Sequence, residues 1–201
     1  FKNYYGTTLN LNEFQKKIEI IKKNYEKEGY SLARIIGPDR ISEDGVVTLN
    51  VSEGIISDIR FRFTGSDGQS TIDGEPDGEP VKGKTKDWVI KRELKTKPGT
   101  IFNRKILEAD ISRLYATSLF DDVRVSLGND NLNPGQVIIF LDLTEQRTGS
   151  LTGGLGYSSS SGIFATIGLQ ETNALGRAWN TNLNLNFGEY SSNYNLSLIH
   201  I

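Results

Sequence analysis

Few residues in this chain have the types and spacing that side-chain chemistry needs. His200 is the sole histidine and there is no cysteine, which removes thiol catalysis and any Cys/His zinc site. His200 falls near the end of a strand-like stretch and reads as a lining or interface residue rather than a base. Asp121-Asp122 could begin a metal site, but neither neighbouring segment supplies convergent ligands, and a solvated pair opening a strand is the expectation. The run Gly153-Gly154-Leu155-Gly156 invites a phosphate-loop reading, yet no Gly-Lys-Ser/Thr follows and no helix begins there. Glycine in a strand that must bend accounts for it. No catalytic, cofactor-binding or metal-ligating residue is assigned, no cofactor is implied, and an enzyme is not expected.

Backbone chemistry remains. Val137–Leu143, VIIFLDL, is apolar on both faces and therefore reads as a central strand. The preceding Asp122, Val123, Arg124, Val125, Ser126 and Leu127 then form an edge strand with unpaired N–H and C=O groups. Such an edge can accept an extended polypeptide by β-augmentation, whatever the guest's sequence. Equally, Asp122 and Arg124 could merely protect it. Val123, Val125 and Leu127 alternate and are expected to anchor the strand to its own core.

The elements that position this edge come from three compositional zones, 1–57, 58–147 and 148–201. The 201 residues carry a net charge of −2, too balanced to suggest a nucleic-acid partner, and suffice for one or two domains with real cores. No run of about eighteen apolar residues exists, so no transmembrane helix is expected. In the first zone Asn10 and Glu13 mark a helix start with a Leu9/Phe14 staple, and Gly29 stops the helix. Two strand-like runs, SLARII and VVTLNV, follow on either side of the turn-rich GPDRISEDG. The second zone repeats the plan more fully: a strand at Asp58–Phe63, then a polar Gly/Asp/Pro loop over 65–85, flexible or docked. Next comes a helix that Thr85 can cap, carrying Trp88 and Leu94, then one capped by Asn103 with Leu107, Ile111 and Leu114 on one stripe. Two strands close the unit. A short glycine-containing hinge, Gly54, Ile55, Ile56 and Ser57, joins the two zones.

After Thr148 charge nearly vanishes and no helical pattern occurs. Leu151, Leu155 and Tyr157 alternate with small polar residues, as do Ile163, Ala165, Ile167 and Leu169, and Tyr194, Leu196 and Leu198. In Trp179–Phe187 the even positions are all asparagine. Trp179, Leu183, Leu185 and Phe187 are expected on a lipid face, with Asn182, Asn184 and Asn186 toward a polar lumen. Four such strands cannot close a barrel of at least eight, so the chain is expected to continue beyond Ile201.

The chain resembles a known family in three blocks. VSEGIISDIRFRFTG resembles the junction between consecutive POTRA domains. WVIKRELKTKPGTIFNRKILEADISRLYATSLFDDVRVSL resembles the body of one such domain. LTEQRTGSLTGGLGYSSSSGIFATIGLQETNALGRAWN, with its Q-E-x-N-x-x-G-R hairpin, resembles the entry into the barrel of BamA-type outer-membrane insertases. KGKT-x-x-WVI-x-REL is most similar to the cyanobacterial and plastid branch.

The resemblance implies an α+β fold: tandem POTRA domains of β-α-α-β-β order, with sheet order one, three, two, followed by the first antiparallel strands of a truncated transmembrane barrel. On it, 1–57 is a POTRA domain lacking its first strand, 58–147 a complete one next to the membrane, and 148–201 the opening barrel strands. It implies an outer-membrane location with POTRA domains in the periplasm, or the equivalent in a plastid envelope. Implied partners are unfolded outer-membrane protein precursors, outer-membrane lipid and accessory assembly subunits, and the resemblance favours client binding at the edge. The alternatives are a polypeptide-translocating pore, as in plastid import or two-partner secretion, and, from another class, a soluble adhesion or carbohydrate-binding module.

Overall fold

The computed structural model describes residues 10–42, 46–65, 67, 69–70, 79–160 and 162–200. In chain order the elements are α1 (Leu11–Lys27), β1 (Arg34–Ile41), β2 (Val47–Ser52), β3 (Ile55–Thr64), α2 (Asp87–Glu93), α3 (Arg104–Ala116), β4 (Phe120–Asn129), β5 (Gln136–Glu145), β6 (Gly149–Ser158), β7 (Gly162–Ala174), β8 (Trp179–Gly188) and β9 (Ser192–His200). The described residues form three sheets, of order β1-β2, β3-β5-β4 and β6-β7-β8-β9. The expected sequence of strand, helix, helix, strand, strand is present from β3 to β5, and β5 is its central strand.

The local signals act as their chemistry requires. Asn10 Oδ1 accepts from the Asn12 and Glu13 N–H groups at 3.0 and 3.4 Å and caps α1; Leu9 of the expected staple lies outside the described residues. At the other end Gly29, at φ +98°, donates to Glu26 O, and Tyr30 donates to Tyr25 O. That pair of bonds is the Schellman closure, which needs a left-handed residue at the glycine. Beyond it, β1 departs from expectation: it runs straight through Gly37-Pro38 to Ile41, where a turn was expected. Register shifts on both sides of Pro38 explain this, because an irregularity in a strand tolerates a residue without an N–H.

Packing divides the chain differently from composition. One compact unit holds Phe1–Ile59, Thr96–Ala109 and Leu127–Ile139; the other holds Arg60–Lys95, Asp110–Ser126 and Phe140–Ile201. In the first, Ile56, Phe102, Leu107, Ile138 and Ile139 are buried. Asn103 is its main staple: Oδ1 caps α3 by accepting from Lys105 and Ile106 N–H, while Nδ2 donates to Glu28 O at 3.0 Å. Arg104 N–H also donates to Gly29 O at 2.8 Å, and a Cβ on Gly29 would overlap the Asn103 amide. Gly29 therefore serves both the helix end and this contact.

In the second unit the core is Val89, Ile90, Leu94, Leu114, Leu119, Phe120, Val123, Leu141 and Leu143. Leu94 is there as expected, but Trp88 is 45% exposed, with the Arg92 guanidinium 5.7 Å from its ring centroid. The seven-residue α2 turns Val89 and Ile90 inward instead. Arg113 pairs with the fully buried Asp110 and donates from Nε to Glu93 O at 2.8 Å. Since Asp110 Oδ1 also accepts from Lys95 N–H, the end of α2 is fixed to α3 by a buried carboxylate whose charge is compensated.

Candidate functional site

β4 lies at one margin of its sheet, so the expected edge strand exists. Val123 is buried and Val125 half-buried, as anchoring requires, but Leu127 is 44% exposed. The polar side chains are engaged along the strand. Asp122 receives a hydrogen bond from the Tyr115 hydroxyl at 3.1 Å and pairs with Arg124 at 3.0 Å. Ser126 Oγ accepts from Arg62 Nη2, and Arg62 forks onto both Asp142 oxygens at 2.6 and 3.0 Å. Exposed Asp121 makes no metal site with them; among the described residues no group of three or more His, Cys, Asp or Glu could hold an ion.

The backbone polarity of this edge follows from one bond. Val123 N–H donates to the Tyr115 hydroxyl of α3 at 3.0 Å, away from the ladder. N–H groups alternate in direction along a strand. Counted from Val123 on that alternation, the Val125 and Leu127 N–H groups share its outward direction, and those of Arg124 and Ser126 turn toward β5. Free outward donors begin at Val125 and continue with Leu127, because Tyr115 occupies the one at Val123.

The four-stranded sheet separates its faces by register. Leu151, Leu169, Leu183 and Leu196 lie in one cross-strand row, and Thr152, Gly168, Asn184 and Asn195 in the next. Leu185 sits opposite Ile167 and Tyr194, and Phe187 stacks edge-on against Tyr194 at 5.7 Å. One face is thus apolar, with Leu151 and Leu196 each more than 70% exposed. The other presents amides, hydroxyls and glycine, and Asn184 Nδ2 donates to Asn182 Oδ1 at 2.7 Å. Leu183, Leu185 and Phe187 share the apolar face. Trp179 is half-buried at the start of β8 with Arg177 4.9 Å from its ring centroid. His200 is aligned with Trp179 across β8 and β9. The glycine run lies in β6, where Gly156 leaves room for the Phe164 ring.

Of the four expected hinge residues, only Gly54 lies between strands. Ile55, Ile56 and Ser57 belong to β3, and Ile56 is buried. Gly54 and Ile56 exchange backbone hydrogen bonds with the 99–102 segment at 2.7–2.9 Å.

A cluster around Lys84 and Thr85 was not anticipated. The loop 65–85 is described only in part. Val81 N–H donates to Ser70 O, and Lys84 and Thr85 N–H donate to the two oxygens of Glu145 at 2.7 and 2.6 Å. Thr85 does not cap α2. The cap position is Lys86, with no side-chain bond, and the buried Thr85 hydroxyl accepts from Asn173 Nδ2 at 2.8 Å. Asn173 Oδ1 in turn accepts from Ala178 N–H. Glu171 accepts from Lys84 Nζ at 3.0 Å, from Asn173 N–H at 2.9 Å and from the Thr148 hydroxyl. The signal for this cluster was the Q-E-x-N-x-x-G-R stretch, Gln170–Arg177; its partner, more than eighty residues away, left no trace in local pattern.

Residues 79–146 match the POTRA family model, described as a surface antigen variable number repeat. POTRA domains 1–3 of the periplasmic part of Omp85 from Anabaena are 39% identical, with a TM-score of 0.66 over 73% of this chain and 56% of that one. BamA from Haemophilus ducreyi lacking POTRA domains 1–3 is 28% identical, with a TM-score of 0.54 over 96% of this chain and 34% of that one. The chain's homologues are members of the BamA/Omp85/Toc75 family. Chloroplastic outer envelope protein 80 of Oryza sativa subsp. japonica is 27% identical over 206 residues, covering 98% of this chain. The cyanobacterial and plastid likenesses agree with the branch expected from sequence. The chain spans 29% of the rice protein, under a third of its length.

Proposed function

We propose that this chain is the membrane-proximal part of an outer-membrane protein assembly factor. In this reading 1–57 and 58–147 are POTRA domains, 148–201 opens a β-barrel, and the molecule works without catalysis or cofactor. BamA/Omp85 proteins lie in the outer membrane or outer envelope with POTRA domains on the periplasmic side, and so does this one. The observation that carries the proposal is the register of β6–β9. It gathers leucines in one row and amides, hydroxyls and glycine in the next, the sidedness of a wall between lipid and water.

The POTRA sheet supplies client recognition. An unfolded barrel precursor has no fixed side-chain surface, but every non-proline residue offers one N–H and one C=O. An edge strand with outward donors at Val125 and Leu127 can pair with any such segment and hold it extended. Accessory subunits are a further expected class of partner.

Reconstitution tests the proposal. Full-length protein in lipid vesicles should accelerate folding of a urea-unfolded outer-membrane barrel into the bilayer, compared with empty vesicles. No acceleration contradicts assembly activity. Appearance of the client inside the vesicle lumen, without insertion, would assign translocation instead.

A further inference from the structure

The β7–β8 turn has an unusual backbone. Leu175, Gly176 and Ala178 all lie at positive φ, between +54° and +71°. Two of these are not glycine, and such conformations persist only where the surroundings hold them. Against this turn lies the segment that precedes α2. Lys86 N–H donates to Gly176 O at 2.9 Å, and a Cβ on Gly176 would overlap the Lys84 carbonyl. Only glycine allows that approach. Beside it, the Asn173–Thr85 bond is buried at both ends, 2% exposed in each residue. Glu145 and Glu171 hold the segment's backbone and the Lys84 ammonium.

Thr85 also has a second use. A threonine immediately before a helix accepts a bond from the N–H two or three residues on, and Trp88 stands three residues on. In this structure that use is forgone: α2 starts one residue later, at an uncapped Lys86 with extended backbone. One hydroxyl thus serves either the β7–β8 turn or the helix.

We propose that the β7–β8 turn is a socket for the chain's own Lys84–Lys86 segment, and that Thr85 switches between Asn173 when seated and the N-terminus of α2 when released. Seated, the segment ties the helical layer of the POTRA domain to the second and third membrane strands. Released, the domain keeps its helix, lengthened at its start, and loses its hold on the turn. The socket does not depend on which cargo the protein handles.

Residue-resolved hydrogen exchange on full-length protein in lipid nanodiscs tests this with two variants. Gly176→Ala obstructs the socket but leaves Thr85 intact. Thr85→Val keeps the shape and removes the hydroxyl from both uses. Amides of Leu183 and Leu185 report that the strands persist; should Gly176→Ala disturb them, Asn173→Ala serves in its place. The expected result is at least ten-fold faster exchange at Lys86 in both variants, with slower exchange at Trp88 only where Thr85 remains. Unchanged exchange at Lys86, or a Trp88 amide that behaves alike in both variants, overturns the proposal.

Discussion

The Thr85 hydroxyl and the Asn173 amide meet at 2.8 Å inside the protein, joining residues 88 positions apart. Thr85→Val strands a buried amide donor, which costs about 1–3 kcal/mol. Asn173→Ala removes that donor and the bond to Ala178 N–H. The double variant should therefore be less destabilised than the sum of the singles, with a coupling of about 1 kcal/mol. Urea unfolding of the full-length protein in detergent measures the cycle. Additive losses would mean that the two side chains do not depend on each other.

The sidedness of β8 predicts an alternating labelling pattern. Single cysteines at 183, 185 and 187 should react with lipid-soluble probes, and those at 182, 184 and 186 with water-soluble ones. A one-residue slip would exchange the faces completely. Because the chain contains no native cysteine, no background reaction from it is expected. A pattern without alternation refutes the membrane placement of these strands.

Tyr115 guards the start of the β4 edge, so Tyr115→Phe should free the Val123 N–H and lengthen the available edge. The lost hydrogen bonds are partly exposed and should cost about 1 kcal/mol. Peptide affinity should rise or hold while thermal stability falls slightly. Lost peptide affinity in a folded variant would place recognition on Tyr115 itself.

In the turn after β4, the Asn133 amide beside Asp130, and then the Leu132 N–H, hold its carboxyl below the usual carboxylate range. A depressed folded value means that the turn's contribution to stability is complete above the unfolded pKa of about 3.9 and is lost as pH falls through the folded value. Carbon-detected NMR titration should find Asp130 below the free aspartate value. Asn133→Ala should move it upward.

How much of this was legible in the sequence varied with the range of the interaction. Asn10 and Asn103 read correctly as caps because a cap bonds within three residues. The central place of VIIFLDL followed from apolar side chains on both faces, and the division of β6–β9 into an apolar and a polar face from strict alternation. Thr85 was misread for the same reason that the caps succeeded: its local use is written in the chain, while its actual partner, Asn173, is selected by tertiary packing. Trp88 and Leu94 marked the short helix, but seven residues give too little periodicity to show that Val89 and Ile90, not Trp88, turn inward. Similarly, Gly37-Pro38 carried turn chemistry that the register shifts of β1 absorbed. The direction of the N–H groups along β4 could not be read at all, because it depends on which bond Val123 makes. That direction makes Leu127 the informative position.

The most direct test of client capture by the β4 edge compares proline and alanine at Leu127. Proline removes the outward N–H at an exposed edge position, where its ring is tolerated, while alanine keeps the donor and shortens the side chain. The measurement is photo-crosslinking of an unfolded barrel peptide to full-length protein, with circular dichroism confirming that both variants are folded. Edge pairing predicts that Leu127→Pro abolishes the crosslink and Leu127→Ala retains most of it. Equal crosslinking by the two folded variants would contradict the account and move recognition away from this edge.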